Sequence, residues 1–374
     1  MRFNVSSSAL SSRLISLSKV INAKNTMAIL DSFLFEVHNG QIVITASDSE
    51  NTMNTVLPLE NCEGEGDFTV SAHTVIDAVK ELPEQPLNIE VNMDESKIYI
   101  SYQNGKYNFP IQGAEEYPRM QGFTGNVTVV NIDSSMVNEC ITRSLFATAS
   151  DELRPVMNGV YFDFTPDALA IVASDGHKLV RNMLLSIKSE TPSAFILPKK
   201  PANLLKNVLG KDGGDMEIKF DERMAEIRYS DGCLSCRLIE GRYPNYGSVI
   251  PQNNPNQLTV DRKSLLGGLR RVLPFASESS ELIKLHIEDG RLELSAEDID
   301  FATNAVENIT CSYIGMPMNI GFKGSSLVDI LNNISGDDVV LELADPSRAG
   351  LVLPAEQPEN QNVLMLLMPM LLND

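Results

Sequence analysis

The chain contains a threefold internal repeat, and this feature constrains its fold more than any other. A short apolar strand pattern, a polar helix-capping cluster and apolar residues at helical spacing occur in this order around Val5, Ile132 and Val260. These three residues are separated by 127 and 128 positions. A recurrence of this length predicts three copies of one domain.

Three further sets of segments recur in the same order. One set, a strand followed by a second helical pattern, aligns at Val70, Leu197 and Phe322, in steps of 127 and 125 residues. The other two sets are strand patterns joined by polar turns. Each copy therefore reads as strand, helix and three strands, twice over. This order predicts an α+β fold of three similar domains.

The copies meet at two stretches rich in turn-forming residues, GFTGN at 122–126 and PQNNPNQ at 251–257. We therefore place the domains at 1–124, 125–253 and 254–374. Two helices per domain cannot cover both faces of so many strands, so we expect the helices on one face of the sheets. Similar domains in series also leave open sheet edges, which can pair between domains or between chains.

The charge of the chain is unevenly distributed. The net charge is −20, which argues against a polyanion covering the whole surface. The six windows predicted as helices nevertheless carry 13 Lys and Arg against 6 Asp and Glu, a net +7, and the rest of the chain carries −27. These windows are 6–20, 71–82, 133–148, 198–211, 261–273 and 323–335.

Two interpretations of the basic helices remain open. In the first, helices simply tolerate Lys and Arg while strands and loops hold the acids. In the second, the helices form a surface that holds a phosphate backbone without reading its bases. The helices offer no aromatic platform for single-stranded bases, and the sequence has no helix-turn-helix, zinc-finger or RNA-binding signature.

No residue pattern indicates a metal, a cofactor or a membrane span. The five cysteines form no regular framework, which suits a reducing cytoplasm. Cys233 and Cys236 lack the second pair that zinc would need and lie in a strand pattern, so we interpret them as plain thiols. The start of the chain lacks the apolar core of a signal peptide. The longest apolar run, 363–372, is too short to span a membrane and is predicted to be a buried strand.

The stretch ASDGHKL at 173–179 raises the question of catalysis. An enzyme hypothesis would combine Asp175 and His177 with the serine before them, but three residues of one turn are poorly placed to form a nucleophile–base–acid chain. No nucleotide-binding or hydrolase motif occurs elsewhere. The other copies keep an aspartate at the same place, in ASDSE at 46–50 and SAEDID at 295–300. We therefore predict that Asp175 serves the turn and that the protein is not an enzyme.

Four features together resemble the bacterial sliding clamp family, the β subunit of DNA polymerase III. They are the threefold repeat, SDGHKL at 174–179, EGRYPNYGSVIP at 240–251 and LMPM at 367–370, and the resemblance covers essentially the whole chain. It implies the DNA-clamp fold and a ring of six domains made by two chains head to tail, with sheets outside and helices lining the hole.

The resemblance also implies what such a ring does. It would encircle double-stranded DNA without reading sequence and tether the replicative polymerase. Its further partners would be the clamp loader, repair polymerases and mismatch-repair proteins, with no cofactor and no membrane. A static multidomain adaptor that never touches DNA would show the same repeats without the ring.

In this family a pocket between the second and third domains receives short peptide motifs from partners. The resemblance carries the pocket over to Met157, Ser174, Gly176, His177, Lys178, Leu179, Pro244, Val249, Leu366, Met368, Pro369, Met370 and Leu372. Such side chains would make an adaptable apolar cavity, although Met368 and Met370 could equally be core residues. Some relatives have arginine at the positions of Ser248 and Leu371, so we expect a less basic rim and a different preferred peptide.

Two further surfaces follow from the resemblance. The DNA-facing set comprises Lys24, Lys199 and Lys200, to which helix position adds Arg13, Lys19, Lys206, Arg270 and Arg271. Pro155 and Val156 stand where some relatives have aromatic residues near the pocket, so we do not count them as DNA contacts. The seam of the dimer is expected at Lys106, Tyr107, Phe109 and Phe275, for which ordinary core packing is the alternative.

Overall fold

The first repeat consists of ten strands and two helices. The computed structural model describes residues 1–151, 153–210 and 213–372. The elements of the first repeat are β1 (Arg2–Ser6), α1 (Ser7–Ser18), β2 (Ser32–His38), β3 (Gln41–Ser47), β4 (Asn51–Pro58), β5 (Glu60–Glu63), β6 (Gly66–Ser71), α2 (Ala72–Val79), β7 (Pro86–Asn92), β8 (Lys97–Tyr102), β9 (Gly105–Pro110) and β10 (Gln112–Gly113).

The second repeat has the same order without the two short strands. Its elements are β11 (Thr128–Asp133), α3 (Ser134–Ser144), β12 (Gly159–Phe164), β13 (Leu169–Ser174), β14 (Lys178–Leu184), β15 (Ser193–Pro198), α4 (Lys199–Val208), β16 (Asp215–Phe220), β17 (Met224–Tyr229) and β18 (Gly232–Arg237). Short 3-10 turns precede β12 at Pro155–Met157 and follow β18 at Tyr246–Val249.

The third repeat closes the described chain. Its elements are β19 (Asn256–Asp261), α5 (Arg262–Val272), β20 (Leu282–Glu288), β21 (Arg291–Asp298), β22 (Thr303–Ile309), β23 (Ser312–Ile314), β24 (Met318–Lys323), α6 (Gly324–Asn333), β25 (Asp338–Leu343), β26 (Gly350–Pro354) and β27 (Gln361–Leu367). The predicted order of strand, helix and three strands, twice in each repeat, is thereby confirmed.

All six helices lie inside their predicted windows, and polar side chains cap several of them. The Ser6 hydroxyl accepts from the Ala9 amide at 3.1 Å, and the Asp261 carboxylate accepts from the Ser264 amide at 2.7 Å. Each bond satisfies an amide that has no partner within the helix, which explains why the helix begins there. No described helix is long and apolar enough to cross a membrane.

One compact unit comprises residues 1–138 and 203–238. It holds a five-stranded sheet, β5-β1-β7-β8-β9, and a nine-stranded sheet, β10-β6-β2-β3-β4-β18-β17-β16-β11. In the larger sheet, β4 of the first repeat pairs antiparallel with β18 of the second, from Asn51 opposite Cys236 to Thr55 opposite Gly232. The expected pairing of open edges between domains is confirmed here.

The other compact unit comprises residues 139–202 and 239–374. It holds the nine-stranded sheet β15-β12-β13-β14-β27-β26-β25-β19-β23 and the four-stranded sheet β22-β21-β20-β24. Here β14 of the second repeat pairs with β27 of the third over seven residues, from Lys178 opposite Leu367 to Leu184 opposite Gln361. A second pair of domains is thus joined through one continuous sheet.

Both helices of the third repeat pack into one core. Leu265 and Leu269 of α5 and Leu327 and Ile330 of α6 are fully buried in a single cluster with strand residues of both sheets. Burial of such a side chain stabilises the fold by about 1.5–3 kcal/mol. The two helices therefore share one side of the sheets in this repeat, as the sequence predicts.

The prediction of a buried strand over 363–372 is wrong for its second half. The strand β27 ends at Leu367, and beyond it Met368 is 41% exposed and Leu371 is 81% exposed. Pro369 has no amide hydrogen to donate to a sheet, so regular pairing cannot continue through it. The apolar composition of 363–372 alone does not show where strand pairing stops.

At the junction of β4 and β18, the close approach of the two backbones leaves no room for a side chain at Gly232. A Cβ at this position would lie 2.4 Å from the Asn54 carbonyl oxygen on the neighbouring strand. We expect Gly232→Ala to destabilise the junction by about 1–3 kcal/mol, because backbone cannot move aside as a side-chain tip can. Hydrogen exchange of the β4 and β18 amides measures this locally.

Gly122 is the matched control for that substitution. A Cβ at Gly122 would meet no atom within 4 Å. Gly122→Ala should therefore leave exchange in both strands unchanged. Equal exchange in the two variants would contradict the close approach of β4 and β18.

Candidate binding groove and basic helices

An open groove of about 400 Å³ lies in the unit that contains β14 and β27. Four segments form it: the 3-10 turn before β12, the turn between β13 and β14, the stretch after β18, and the end of β27. Its lining residues are Arg154, Met157, Ser174, Gly176, His177, Lys178, Leu179, Tyr243, Pro244, Asn245, Tyr246, Val249, Leu366 and Met368.

Ten of the thirteen residues predicted for the pocket line this groove. Arg154, Tyr243, Asn245 and Tyr246 are lining residues that the sequence analysis missed. Three of these four lie within EGRYPNYGSVIP, the stretch that contributes to the resemblance, so a signal for them was present in the sequence.

The floor of the groove is apolar and buried, whereas its rim is apolar and exposed. Leu179, Leu366 and Met157 are at least 92% buried, and they form a rigid floor. Val249 and Met368 are 56% and 41% exposed. Exposed apolar side chains around an apolar floor favour an occupant that contributes apolar side chains of its own.

The turn between β13 and β14 is held by a dense set of hydrogen bonds. The Asp175 carboxylate accepts from the amides of His177 and Lys178, both at 2.9 Å, and from the Lys178 ammonium at 2.6 Å. The Ser174 hydroxyl donates to the Lys178 carbonyl at 2.8 Å and accepts from the Gly176 amide at 3.1 Å. This turn is therefore a preformed wall of the groove.

The first repeat contains the same turn with different side chains. Asp48 accepts from the amides of Glu50 and Asn51 at 3.0 and 2.6 Å, and the Asn51 side chain stands where Lys178 stands. Ser47 donates to the Asn51 carbonyl at 3.2 Å. In the third repeat, Asp298 accepts from the two equivalent amides. Asp175 therefore belongs to the shared scaffold.

The electrostatics of Asp175 agree with this structural role. Burial is the largest single influence and raises its pKa, but the bonds from Lys178 and from the backbone amides outweigh burial, and the net pKa is lowered. A carboxylate that stays charged and is bound by three donors is poorly suited to accept a proton in catalysis.

Gly176 has a conformation that other residues rarely adopt, and it lies against Arg154. Its φ is +91°, and a Cβ built on it would come within 2.5 Å of Nη1 of Arg154. The Arg154 Nε donates to Asp151 Oδ2 at 3.1 Å, which orients the guanidinium. Glycine adopts this φ without strain and leaves room for the Arg154 guanidinium to lie against the turn.

Three tyrosines support the groove from one side. Tyr243 is stacked on Tyr161 with ring centroids 4.5 Å apart and an interplanar angle of 1°. Tyr246 packs edge-on to Tyr161 at 6.2 Å, and its hydroxyl donates to Asp163 Oδ2 at 2.8 Å. These contacts fix the path of the stretch after β18 against β12.

The chain beyond β27 is tied at two points. The Met368 amide donates to the His177 carbonyl at 2.8 Å, and the Met370 amide donates to the Gly321 carbonyl at 2.8 Å. The Leu372 side chain lies so close to Gly321 that a Cβ there would approach it to 2.8 Å. Pro369, Met370 and Leu372, which were predicted for the pocket, lie along this tail beyond the lining residues of the groove.

Ser248 and Leu371, the two positions expected to make the rim less basic, are both at the surface. Ser248 is exposed, and its hydroxyl donates to the Asn245 carbonyl at 2.7 Å within its own turn. Leu371 is 81% exposed. Lys178 is paired with Asp175 and Arg154 with Asp151, so both cations at this end of the groove already have carboxylate partners.

The basic residues predicted to face DNA fall into two groups. Lys19, Lys24 and Lys206 are exposed, and Lys199 is exposed with its ammonium 3.3 Å from the Ser150 hydroxyl. Lys200 is half-buried. The arginines differ, because each is bound by a protein acceptor: Arg13 by Asp231, Arg270 by Asn332 and Arg271 by Glu307.

The residues predicted for the dimer seam lie on or near sheet edges. Strand β9 ends the five-stranded sheet, and it carries Lys106, Tyr107 and Phe109. Phe109 is 92% buried within its own chain, whereas Lys106 is exposed. Phe275, directly after α5, is 40% exposed.

Among the described residues, no group of three or more His, Cys, Asp or Glu could hold a metal ion. Burial raises the pKa of Cys140 and Cys236 to about 12 and that of Cys233 to about 11. Thiols with such high pKa values stay protonated and react slowly.

Comparison with known proteins gives a consistent result over the whole chain. Models of the N-terminal, central and C-terminal domains of the DNA polymerase III beta subunit match residues 1–121, 131–245 and 247–371. The beta sliding clamp of Pseudomonas putida is 26% identical over 366 residues, covering 98% of this chain and 99% of the relative.

Solved structures agree. A sliding clamp (DNA polymerase III subunit beta) from Pseudomonas aeruginosa bound to griselimycin is 26% identical, with a TM-score of 0.93 and full coverage of both chains. The DNA polymerase III beta subunit of Thermotoga maritima is 25% identical, with a TM-score of 0.89 and full coverage of both chains. The chain therefore belongs to the DNA polymerase III beta subunit family, the beta sliding clamps.

Proposed function

We propose that two copies of this chain close head to tail into a ring around duplex DNA, and that the groove binds short segments of replication and repair proteins. The observation that carries this proposal is the charge division: the helix windows carry +7 and the rest of the chain −27. A basic helical surface in an acidic protein attracts a duplex to one side only. We propose residues 1–124, 125–253 and 254–374 as the three domains of the chain.

Ring closure requires two open sheet edges, and the chain offers a suitable pair. Strands β9 and β22 each end a sheet, so neither has a second strand partner among the described residues. We propose that β9 of one copy extends the sheet of its partner at β22. Two such seams, related by a twofold axis, close the ring and leave neither edge exposed.

Phe275 provides the test of the seam. It is 40% exposed beside the β22 edge, and a partly exposed aromatic at a sheet edge is typical of an interface anchor. Phe275→Asp should raise the dissociation constant of the dimer by about 30-fold or more, corresponding to about 2 kcal/mol. Analytical ultracentrifugation measures this constant.

Ile314 is the matched control for the seam. It is 68% exposed on β23, which ends a different sheet. Ile314→Asp should leave the dimer intact. If Phe275→Asp and Ile314→Asp dissociate to the same extent, the seam lies elsewhere.

A ring also predicts a topological attachment to DNA. Protein loaded on nicked circular DNA by a clamp loader should stay bound through gel filtration and leave when the circle is cut, because a closed ring can slide off an end. Lys199→Glu combined with Lys200→Glu should reduce loading while leaving the dimer intact, since both residues are proposed to face phosphates. Retention on the linear form would favour side-on binding, as a static adaptor with a basic patch would show.

We propose that the groove is the docking site for partner peptides. Its apolar floor and its exposed apolar rim suit a short extended segment with two or three apolar side chains. With Ser248 and Leu371 on the rim, we expect less dependence on acidic residues in the peptide than in relatives with arginine there. Partners that share such a segment would include the replicative polymerase, the clamp loader and repair proteins.

Gly176→Asp tests the groove directly. The substitution strains a φ of +91° and places a carboxylate against the Arg154 guanidinium on the wall of the groove. We expect it to weaken binding of fluorescently labelled griselimycin, the ligand of the Pseudomonas aeruginosa relative, by about tenfold or more. Fluorescence polarisation measures the affinity.

Gly290 controls for strain at a turn. It has a φ of +80° in the turn before β21, and a Cβ there would meet nothing within 4 Å. Gly290→Asp should bind the probe as the unmodified protein does. Unchanged affinity in Gly176→Asp would refute the assignment of the groove.

We propose that the protein acts without catalysis and in the cytoplasm. Asp175 is held in its turn, and the buried thiols have raised pKa values. Five unpaired cysteines suit a reducing compartment. A separate loader protein would open the ring, using the energy of nucleotide hydrolysis.

A further inference from the structure

Every arginine in the basic helices has an acceptor within the chain. The helix windows contain five arginines, and every one of them is bound by an acceptor of the same chain. Arg143 is buried and pairs with Glu139, Arg262 donates to the carbonyls of Leu331 and Gly336, and Arg270 donates to Asn332. The remaining two, Arg13 and Arg271, pair with carboxylates at the surface.

Arg13 is neutralised by Asp231. Arg13 lies on α1 of the first repeat and Asp231 in the turn between β17 and β18 of the second, and their side chains are 34% and 31% exposed. Both line a small polar cavity of about 200 Å³ together with Asn207 of α4. The carboxylate occupies the position beside α1 that a phosphate group approaching this arginine would take.

Arg271 is neutralised by Glu307 in the same way. Its Nε donates to Glu307 Oε2 at 2.9 Å, and its Nη2 donates to Oε1 of the same carboxylate. This is the two-pronged geometry with which arginine binds phosphate. The Arg271 side chain is 63% exposed, so the pair lies at the surface of the chain.

The lysines are not all bound in this way. Lys80 pairs with Asp77 and Lys323 with Glu281, but three lysines of the proposed DNA-facing set have no such partner among the described residues. Lys19, Lys24 and Lys206 are exposed, and none forms an ion pair with a residue that the structure describes. An ammonium group is a compact, hydrated point charge that contacts phosphate without a fixed geometry, whereas a guanidinium binds phosphate in a defined fork. Lysine contacts are therefore easily exchanged from one phosphate to the next.

We propose that Asp231 and Glu307 act as internal substitutes for phosphate that keep Arg13 and Arg271 off the duplex, so that lysines make the sliding contact. The inference rests on the proposed ring around DNA. An arginine that is paired with a carboxylate neutralises no phosphate and releases no counterion from the DNA, so it adds nothing to the salt-dependent affinity. The duplex is then held loosely enough to move.

Removing the two carboxylates tests the proposal. In Asp231→Asn and Glu307→Gln, the freed arginine is able to bind a phosphate of the duplex. Fluorescence anisotropy with a short labelled duplex gives the slope of log K against log salt. We expect each new arginine–phosphate pair to make this slope steeper by about 0.9. Single-molecule tracking on DNA with blocked ends should show slower diffusion of the double variant.

Glu226→Gln is the matched control for net charge. Glu226 pairs with Arg228 on β17, outside the helices, at 2.8 Å. Its removal changes the net charge equally but frees no helix arginine, so the slope should stay as in the unmodified protein. A slope as steep as that of Asp231→Asn would mean a general charge effect and would overturn the proposal.

A second pair of variants separates this proposal from the proposed function. Lys206→Gln should make the slope shallower by about 0.9, because one phosphate is no longer neutralised, and Arg13→Gln should leave the slope unchanged. A shallower slope in Arg13→Gln would show that Arg13 already binds DNA and would overturn the masking proposal alone. An unchanged slope in both Lys206→Gln and Lys24→Gln would overturn the DNA-facing surface itself.

Discussion

The pairing of strands from different repeats is the interaction on which the rest of the structure depends. Each repeat alone ends in strands with unpaired amides and carbonyls, which cannot be left facing an apolar environment. Here β4 pairs with β18 and β14 pairs with β27, so each junction of two repeats becomes the interior of a nine-stranded sheet. The backbone hydrogen bonds across each junction also fix the register of the two paired strands.

The groove is a direct product of the second junction. Because β14 and β27 are in register, the turn that begins β14 meets the end of β27, where the Met368 amide binds the His177 carbonyl. The same turn exists in the first repeat around Asp48, with a serine at φ +77° in place of the glycine. A shared turn thus becomes the wall of a groove in one copy, through its neighbours and a few side chains.

Much of this architecture could be predicted from the sequence, because the repeat tests each local pattern three times. Helix positions and turn chemistry follow from the repeat. The ten lining residues of the groove came from the resemblance alone. The end of β27 was missed because 363–372 was interpreted as one apolar strand, although Pro369 cannot donate to a sheet and marks the place beyond which regular pairing stops.

Contacts between positions far apart in the chain could also not be predicted from the sequence. The pairing of Arg13 with Asp231 joins residues 218 positions apart. A charge count places Arg13 with the basic helices and Asp231 with the acidic remainder of the chain, so it does not show that they meet. Arg154 was missed because the path of a loop, rather than any local pattern, brings it to the groove. Sequence patterns describe elements well and describe the space between elements poorly.

The tyrosine cluster makes the groove visible to a simple optical measurement. The chain has no tryptophan and nine tyrosines. Tyrosine fluorescence is therefore not quenched by energy transfer to tryptophan. Tyr243 and Tyr246 line the groove, and Tyr161 is stacked beneath them. A ligand that settles on these rings changes their solvent contact, so the unlabelled protein carries its own intrinsic reporter of occupancy.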